Sequence, residues 1–266
     1  MKFTVLGANG FIGSACVNYL MSKGHDVNSV TRNTKVDPNI PLGHVIYSIG
    51  LTADFREKPF ETVDAHVTTL AHWLKLYQFD SFLYLSSTRI YEGMPISTPV
   101  NEHTPLTVLP NANTLYNISK LMGEALCLAS PLQSIRIVRL SNVYGVNQKE
   151  HNFLSSIIKS LRNTNEVEIR EAPDSTKDYV ALDDVVPLLF SIATNGQKRL
   201  YNVASGQAVS HKSLTEVLQK NESYKINFLK GALSRKFPSI DISLIQNEFN
   251  FYPQSILINI DKLMAL

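Results

Sequence analysis

Tyr116 and Lys120, in the segment Tyr116-Asn117-Ile118-Ser119-Lys120, stand four residues apart and share one face of a helix. An ammonium beside a phenol lowers the cost of the phenolate, the form a tyrosine must approach to exchange a proton near neutral pH. The same lysine can hold the hydroxyls of a ribose. Upstream, an apolar run ends in Ser86-Ser87-Thr88, whose hydroxyls can face a bound substrate. At the start of the chain, MKFTVLGANGFIG sets Gly7, Gly10 and Gly13 directly behind the apolar stretch Phe3 to Leu6. Glycines there let the backbone turn tightly and approach a pyrophosphate, and the helix that follows offers free N–H groups and a positive dipole end. Each pattern alone is weak, because the glycines could be a structural turn and the Tyr/Lys pair an ordinary exposed pair. In this order along one chain they point to a dinucleotide meeting a substrate at a proton-exchanging tyrosine.

The glycine turn supplies Gly7, Gly10, Phe11, Ile12 and Gly13 as candidate cofactor-binding residues, with spacing G-x-x-G-x-x-G in place of G-x-G-x-x-G. A second strand, Asp26 to Thr31, ends in Thr31, Arg32 and Asn33, the place where an adenosine ribose is met. No carboxylate stands there to select NAD(H). Thr31 and Arg32 therefore favour NADP(H), with NAD(H) as the alternative and a plain solvated arginine as the bland reading.

The elements that must position these groups alternate strand and helix. Ile12, Cys16, Leu20 and Met21 recur at helical spacing until Lys23-Gly24-His25 stops them; His44 to Ile49 and Ser81 to Leu85 are core strands, and Phe60 to Tyr77 is a helix. This predicts an α/β protein of the Rossmann type, with a doubly wound parallel sheet and helices on both faces. Between Asn33 and Gly43 only a short polar segment with Pro38 and Pro41 appears, too brief for the usual helix and strand. The fold is thus expected to be shortened between the second strand and His44–Ile49, leaving the adenine side less enclosed. Residues 1–146 are expected to form a dinucleotide-binding domain, and 147–266 a smaller substrate-binding lobe interleaved with it.

Composition excludes several classes. The 266 residues carry 44% hydrophobic and 18% charged side chains and a net charge of +2, without runs of one sign. That gives no reason to expect a nucleic-acid partner. No apolar run is long enough for a membrane span and no leader pattern is visible, so no membrane partner and a cytoplasmic setting are expected. Cys16 and Cys127 fall in apolar helical patterns and read as small buried residues. The seven histidines show no ligand spacing; His66 and His72, six apart, lie well round their helix from each other, and no metal is expected.

With these residues in hand, the chain resembles the extended short-chain dehydrogenase/reductase family, in its nucleotide-sugar epimerase, dehydratase and reductase group. The resemblance rests on GANGFIG (Gly7 to Gly13), YLSSTRIYEG (Tyr84 to Gly93), YNISK (Tyr116 to Lys120), RLSNVYG (Arg139 to Gly145), KDYVALDDVV (Lys177 to Val186) and YNVASG (Tyr201 to Gly206). It implies that Ser87, Tyr116 and Lys120 are catalytic, with Tyr116 as the acid/base. It further implies that Ser87, Thr88, Asn142 and Lys177 meet a nucleotide sugar, Asn142 and Lys177 facing its diphosphate. Lys177 stands where relatives often carry arginine, which keeps the charge and loses the bidentate fork. Asp178 and the Asp183-Asp184 pair are expected to fix a loop and begin a helix. Relatives often dimerise through two helices, which here would be Phe60 to Tyr77 and Thr114 to Ser130, and a homodimer is expected on that ground.

Departures from the group narrow the chemistry. Its 4,6-dehydratases carry one or two carboxylates directly after the catalytic Ser/Thr, where this chain has Thr88 and Arg89. Neither is a general base at neutral pH, which argues against dehydration. Three readings remain: reduction of a 4-keto-6-deoxy nucleotide sugar with Tyr116 as the acid, C4 epimerisation of a nucleotide sugar, or a silent dinucleotide-binding protein. The intact Ser87, Tyr116 and Lys120 favour the first two.

Overall fold

The computed structural model describes residues 1–146, 148 and 152–264. The expected domain boundary at Asn147 lies outside them, as does His151, from which the sequence pattern to Leu161 reads as helical. In chain order the elements are β1 (Lys2–Leu6), α1 (Phe11–Ser22), β2 (Asp26–Val30), β3 (His44–Tyr47), α2 (Pro59–Val63), a π-helical segment (Asp64–Thr68), α3 (Thr69–Leu76), β4 (Ser81–Ser87), a 3-10 turn (Thr88–Tyr91), α4 (Leu115–Ala129), β5 (Ile135–Leu140) and β6 (Asn142–Tyr144). There follow α5 (Phe153–Thr164), β7 (Glu166–Ile169), β8 (Thr176–Ala181), α6 (Leu182–Asn195), β9 (Leu200–Val203), β10 (Ala208–Ser210), α7 (His211–Leu218), β11 (Lys225–Phe228), α8 (Ser243–Phe249) and α9 (Ile256–Met264).

Six parallel strands form the main sheet in the order β2-β1-β3-β4-β5-β9. Covered on both faces, its inner strands carry continuous buried runs, as in Ser81–Ser86 of β4. One face packs α1 and α6 through Cys16, Leu20, Leu189 and Ile192; the other packs α3 and α4 through Leu70, Trp73 and Cys127. β9 enters the main sheet from the second half of the chain, so the halves interleave. A third core joins α5, α7 and α9 to a three-stranded sheet, β10-β8-β6, and to the β11-β7 pair.

The shortened first half is seen directly. β1 pairs with β2 on one side and β3 on the other, so β2 is the edge strand and no regular element lies between Val30 and His44. Two other expectations need correction. The helix over Phe60 to Tyr77 is not continuous, because five residues take the π register. That register frees backbone carbonyls, and two tyrosines of the sheet cap them: Tyr47 donates to the Ala65 carbonyl at 2.6 Å and Tyr84 to that of His66 at 3.3 Å. By the family resemblance the IDISLIQNEFNF stretch reads as the family's final helix, yet a further helix follows α8, with Ile256, Ile260 and Leu263 burying one face of α9.

A buried ion pair ties α4 to the sheet. Arg139 of β5 forks onto Glu124 of α4, with Nη2 2.7 Å from Oε2, and both side chains are nearly inaccessible. Ser86 of β4 donates to the same carboxylate, and the Arg139 Nη1 donates to the Tyr91 hydroxyl at 2.7 Å. Removing one partner leaves a desolvated charge, so Glu124→Leu is expected to lower the unfolding free energy by about 3–5 kcal/mol. Urea titration checks this, and a loss below ~1 kcal/mol would show that the pair does not hold the elements together.

Candidate active site

A cleft of about 510 Å³ opens beyond the carboxyl ends of the main-sheet strands. Its walls come from Gly10, Phe11 and Ile12 after β1, Ser48 to Gly50 after β3, Ser86 to Arg89 at the end of β4, and Leu140 to Val143 after β5. β1 and β3 are neighbours from which the chain departs in opposite directions, the switch point where open α/β sheets take ligands.

The glycine turn is built for close approach. Gly7 has φ +87°, and a Cβ on Gly13 would stand 2.2 Å from the Gly7 carbonyl oxygen, so a side chain at 13 would force α1 away from the turn. Gly7 and Ala8 donate to the Val30 carbonyl, and Ser48 binds the Leu6 carbonyl through both its amide and its hydroxyl. The turn is thereby fixed to the ends of β2 and β3. A backbone cradle with no side chain in it, at the start of a twelve-residue helix, fits a dinucleotide's pyrophosphate.

Among the expected site residues, Gly10, Phe11, Ile12, Ser87, Thr88, Tyr116, Lys120, Asn142 and Lys177 line this one cleft. Gly7 and Gly13 form the turn behind it. Thr31 and Arg32 stand after the end of edge strand β2, outside the cleft wall; the Thr31 hydroxyl pairs with that of Thr34 at 3.0 Å.

At the inner end Tyr116 is 4% exposed and Lys120 5%, both on α4. The Lys120 Nζ donates to the Leu85 carbonyl at 2.8 Å and lies 5.1 Å from the Tyr84 ring centre and 6.0 Å from that of Tyr116. Burial pulls its pKa down to about 7, against the opposing pull of Glu124 one turn along. Arg89 covers the other side, its guanidinium 5.5 Å from the Tyr116 ring centre and 4.9 Å from that of Phe55, with Glu92 3.4 Å from its Nε. Two cations flank the phenol, and each favours phenolate. The Ser87 Oγ accepts the Arg89 amide at 3.2 Å as the cap of the 3-10 turn. Its own hydrogen is left to donate to a ligand oxygen.

At the outer end Lys177 is not a free cation. Its Nζ is 2.8 Å from Glu171 and lies over the Phe153 ring. Asn142 donates to the Asp178 carbonyl at 2.7 Å. The Asp178 carboxylate accepts the Ser205 amide and hydroxyl at 2.8 and 2.9 Å, which fixes the loop after β9; burial raises its pKa while these bonds oppose the rise. Asp183 and Asp184 occupy the first turn of α6.

Sequence reasoning missed Phe55, Arg56, Glu171 and Arg235, all in the cleft wall, and His66 behind it. Phe55 and Arg56 lie in a stretch without periodicity, and Arg235 in a loop far along the chain, so no local pattern marks them. Arg235 makes no ion pair among the described residues, unlike Lys177.

Fold and cleft together define a Rossmann-type α/β protein of the short-chain dehydrogenase/reductase kind. The family model described as the NAD dependent epimerase/dehydratase family matches residues 3–65 and 40–204, and the chain belongs to that family. It is similar to a dTDP-glucose 4,6-dehydratase of Streptomyces griseus, 25% identical over 181 residues, covering 65% of this chain and 54% of the relative. It is also similar to a dTDP-4-dehydro-6-deoxyglucose reductase of Escherichia coli, 27% identical over 137 residues (49% and 41%). A UDP-glucose 4-epimerase of Mycolicibacterium smegmatis is 25% identical over 257 residues, 80% of each chain. The chain thus spans about half the length of the first two relatives. Among solved structures, the RMD protein of Pseudomonas aeruginosa complexed with NADPH has TM-score 0.81 at 20% identity, over 99% of this chain and 98% of that one. The UDP-glucuronic acid 4-epimerase of Bacillus cereus, in complex with UDP-glucuronic acid and NAD, has TM-score 0.83 at 19% identity over 100% and 98%. Those two likenesses concern the fold.

Proposed function

We propose that this chain reduces a 4-keto-6-deoxy nucleotide sugar with NADPH. The observation that carries the reading is the inner end of the cleft, where Ser87, Tyr116 and Lys120 converge and the positions after Ser87 hold Thr88 and Arg89. A bound nicotinamide supplies a hydride to the carbonyl carbon. Tyr116 gives its phenolic proton to the carbonyl oxygen, and the Ser87 hydroxyl donates a hydrogen bond to the same oxygen, so a carbinol results. The Lys120 ammonium, with Arg89 across the ring, stabilises the phenolate left behind. Among the described residues that line the cleft, each carboxylate is already engaged, Glu92 by Arg89, Glu171 by Lys177 and Asp178 by Ser205, which argues against proton removal from carbon. At the outer end Arg235 and Asn142 face the diphosphate, with Lys177 tempered by Glu171.

Epimerisation at C4 is the second reading, favoured by the Mycolicibacterium relative that matches over the longest stretch. The same three residues would then draw a proton from the C4 hydroxyl and return it after the ketone has turned over. Consumption of NADPH with a 4-keto-6-deoxy nucleotide sugar supports reduction, whereas interconversion of nucleotide sugars without net cofactor use supports epimerisation. In either case Tyr116→Phe is expected to lower kcat by roughly 10²–10⁴-fold while dinucleotide binding persists. Unchanged turnover would sink the mechanism and leave a silent binding protein.

Arg32 favours the extra phosphate of NADP(H) although it stands outside the cleft wall. NADP(H) is expected to raise the melting temperature more than NAD(H) does at equal concentration, and Arg32→Ala to abolish the difference. Equal shifts in the unaltered protein would remove the preference. For assembly, Phe60, Leu76, Met122 and Leu128 are exposed apolar residues on α2, α3 and α4, the helices through which a homodimer would form. Light scattering is expected to give twice the chain mass, and Met122→Glu to give the monomer; a monomeric unaltered protein would end that reading. The two buried free thiols suit a reducing, cytoplasmic setting.

A further inference from the structure

His66 sits in the π segment with its side chain fully buried, edge-on to Tyr116 at 5.3 Å between ring centres. Its Nδ1 is 2.8 Å from the Ser119 Oγ, and that hydroxyl donates to the Tyr116 carbonyl at 2.9 Å. A hydroxyl has one proton. Having given it to the carbonyl, the Ser119 Oγ can only accept from the imidazole, so Nδ1 carries the hydrogen and Nε2 the lone pair of a neutral ring. Burial, helped by the Lys120 charge, holds the ring neutral with a pKa of about 2. Nε2 has no hydrogen-bond partner among the described residues, an expensive state for a buried acceptor.

What faces this lone pair is Lys120. A Cβ on Gly50 would come 3.2 Å from Nε2 and 3.5 Å from the Lys120 Nζ, so the two nitrogens border one small space that only glycine leaves open. Of the three ammonium hydrogens, one goes to the Leu85 carbonyl, which leaves two to donate elsewhere, and Lys120 also borders the cleft. The remaining groups about Lys120 are Glu124 and Tyr116 on its own helix and Tyr84 on β4, with Arg89 beyond the Tyr116 ring. Only Glu124 among them bears the opposite charge, and it is bound by Arg139.

We infer that His66 is a positioning residue for Lys120: its Nε2 lone pair, without a hydrogen bond in the structure, borders the same space as the ammonium and draws Nζ across the gap left by Gly50, holding it beside Tyr116 and keeping it charged. The contact itself is independent of the proposed reaction, while its effect on turnover rests on that reading. The acceptor stabilises the charged lysine, so losing it lowers the Lys120 pKa further, and activity needing the ammonium then fails at lower pH.

The test has two arms. In cofactor-free protein labelled with 15N-histidine, His66, assigned by its loss in His66→Gln, should show an unprotonated Nε2. Its shift should move as pH passes about 7 and Lys120 titrates, and that movement should vanish in Lys120→Met. A protonated Nε2, or a shift indifferent to Lys120→Met, would overturn the inference. In turnover, His66→Phe should lower kcat about tenfold with little change in KM and move the alkaline limb of the pH profile down by about one unit. His66→Gln, whose side-chain oxygen can accept, should recover most of both. A folded His66→Phe with an unmoved limb would reduce His66 to packing. Absence of any turnover in the unaltered protein would count against the proposed reaction alone, because the spectroscopic arm reads the contact without it.

Discussion

The cleft depends on the buried charge pair of Glu124 and Arg139. A carboxylate and a guanidinium taken out of water are tolerable only where nearly every lone pair and N–H finds a partner. Here Ser86, Tyr91 and the fork of Arg139 supply them, and the Tyr91 hydroxyl passes on to Asn202 of β9. The pair therefore clamps α4 against β4, β5, β9 and the 3-10 turn at once. Its neighbours in the chain are the groups proposed to do the chemistry: Ser87 follows Ser86, and Lys120 stands one turn before Glu124. A shift of this network would move the hydroxyl, the phenol and the ammonium relative to one another. Glu124 also opposes the desolvation of Lys120, so a single carboxylate serves both packing and charge.

What could be read from the amino acids was what local pattern records. The glycine turn, the inner strands, the Ser87 and Tyr116–Lys120 sets and the missing unit after Arg32 are all spacings within a few residues. The start of α7 is of that kind too: the sequence offers Ser210 or Ser213 as its cap, and the Ser210 hydroxyl accepts the Ser213 amide. The π register was not legible, because the residues that stabilise it, Tyr47 and Tyr84, belong to strands far off in the chain. His66 was set aside for lack of ligand spacing, yet its importance comes from Gly50, Ser119 and Lys120 closing round it. The Ile256, Ile260 and Leu263 pattern of α9 stands at helical spacing in the sequence as well. Arg235 and Phe55 reach the cleft from irregular segments, where type and spacing carry no signal.

The shortened half has a physical consequence for the dinucleotide. With β2 at the edge, its burial pattern is mostly open, and the adenine end meets a loop where a fuller fold would place a strand and helix. The pyrophosphate turn, by contrast, is locked from both sides by Val30, Leu6 and Ser48. A dinucleotide bound as proposed would be held mainly at its phosphates and at the end bordered by Lys120 and the buried wall of the cleft. A phosphate on the adenosine ribose, paired with Arg32, would compensate part of the lost enclosure by charge where packing is absent.

The sign of the charges at the inner end is what favours the proposed reaction over others open to this family. Removing a proton from carbon requires a base that stays deprotonated beside the substrate, and a carboxylate is the usual solution. Around Tyr116 the structure instead places Lys120 on one side and Arg89 on the other, with Arg56 4.5 Å from the Phe55 ring centre beyond. Both cations favour the charged form of the phenol over the neutral one, against its burial, and the Glu92 carboxylate is paired with the Arg89 guanidinium. A site of this kind suits proton exchange with an oxygen at a carbon that gains or loses hydride. It does not suit elimination. The neutral His66 fits the same economy, since a lone pair without charge can steady the lysine and leave the positive field around Tyr116 intact.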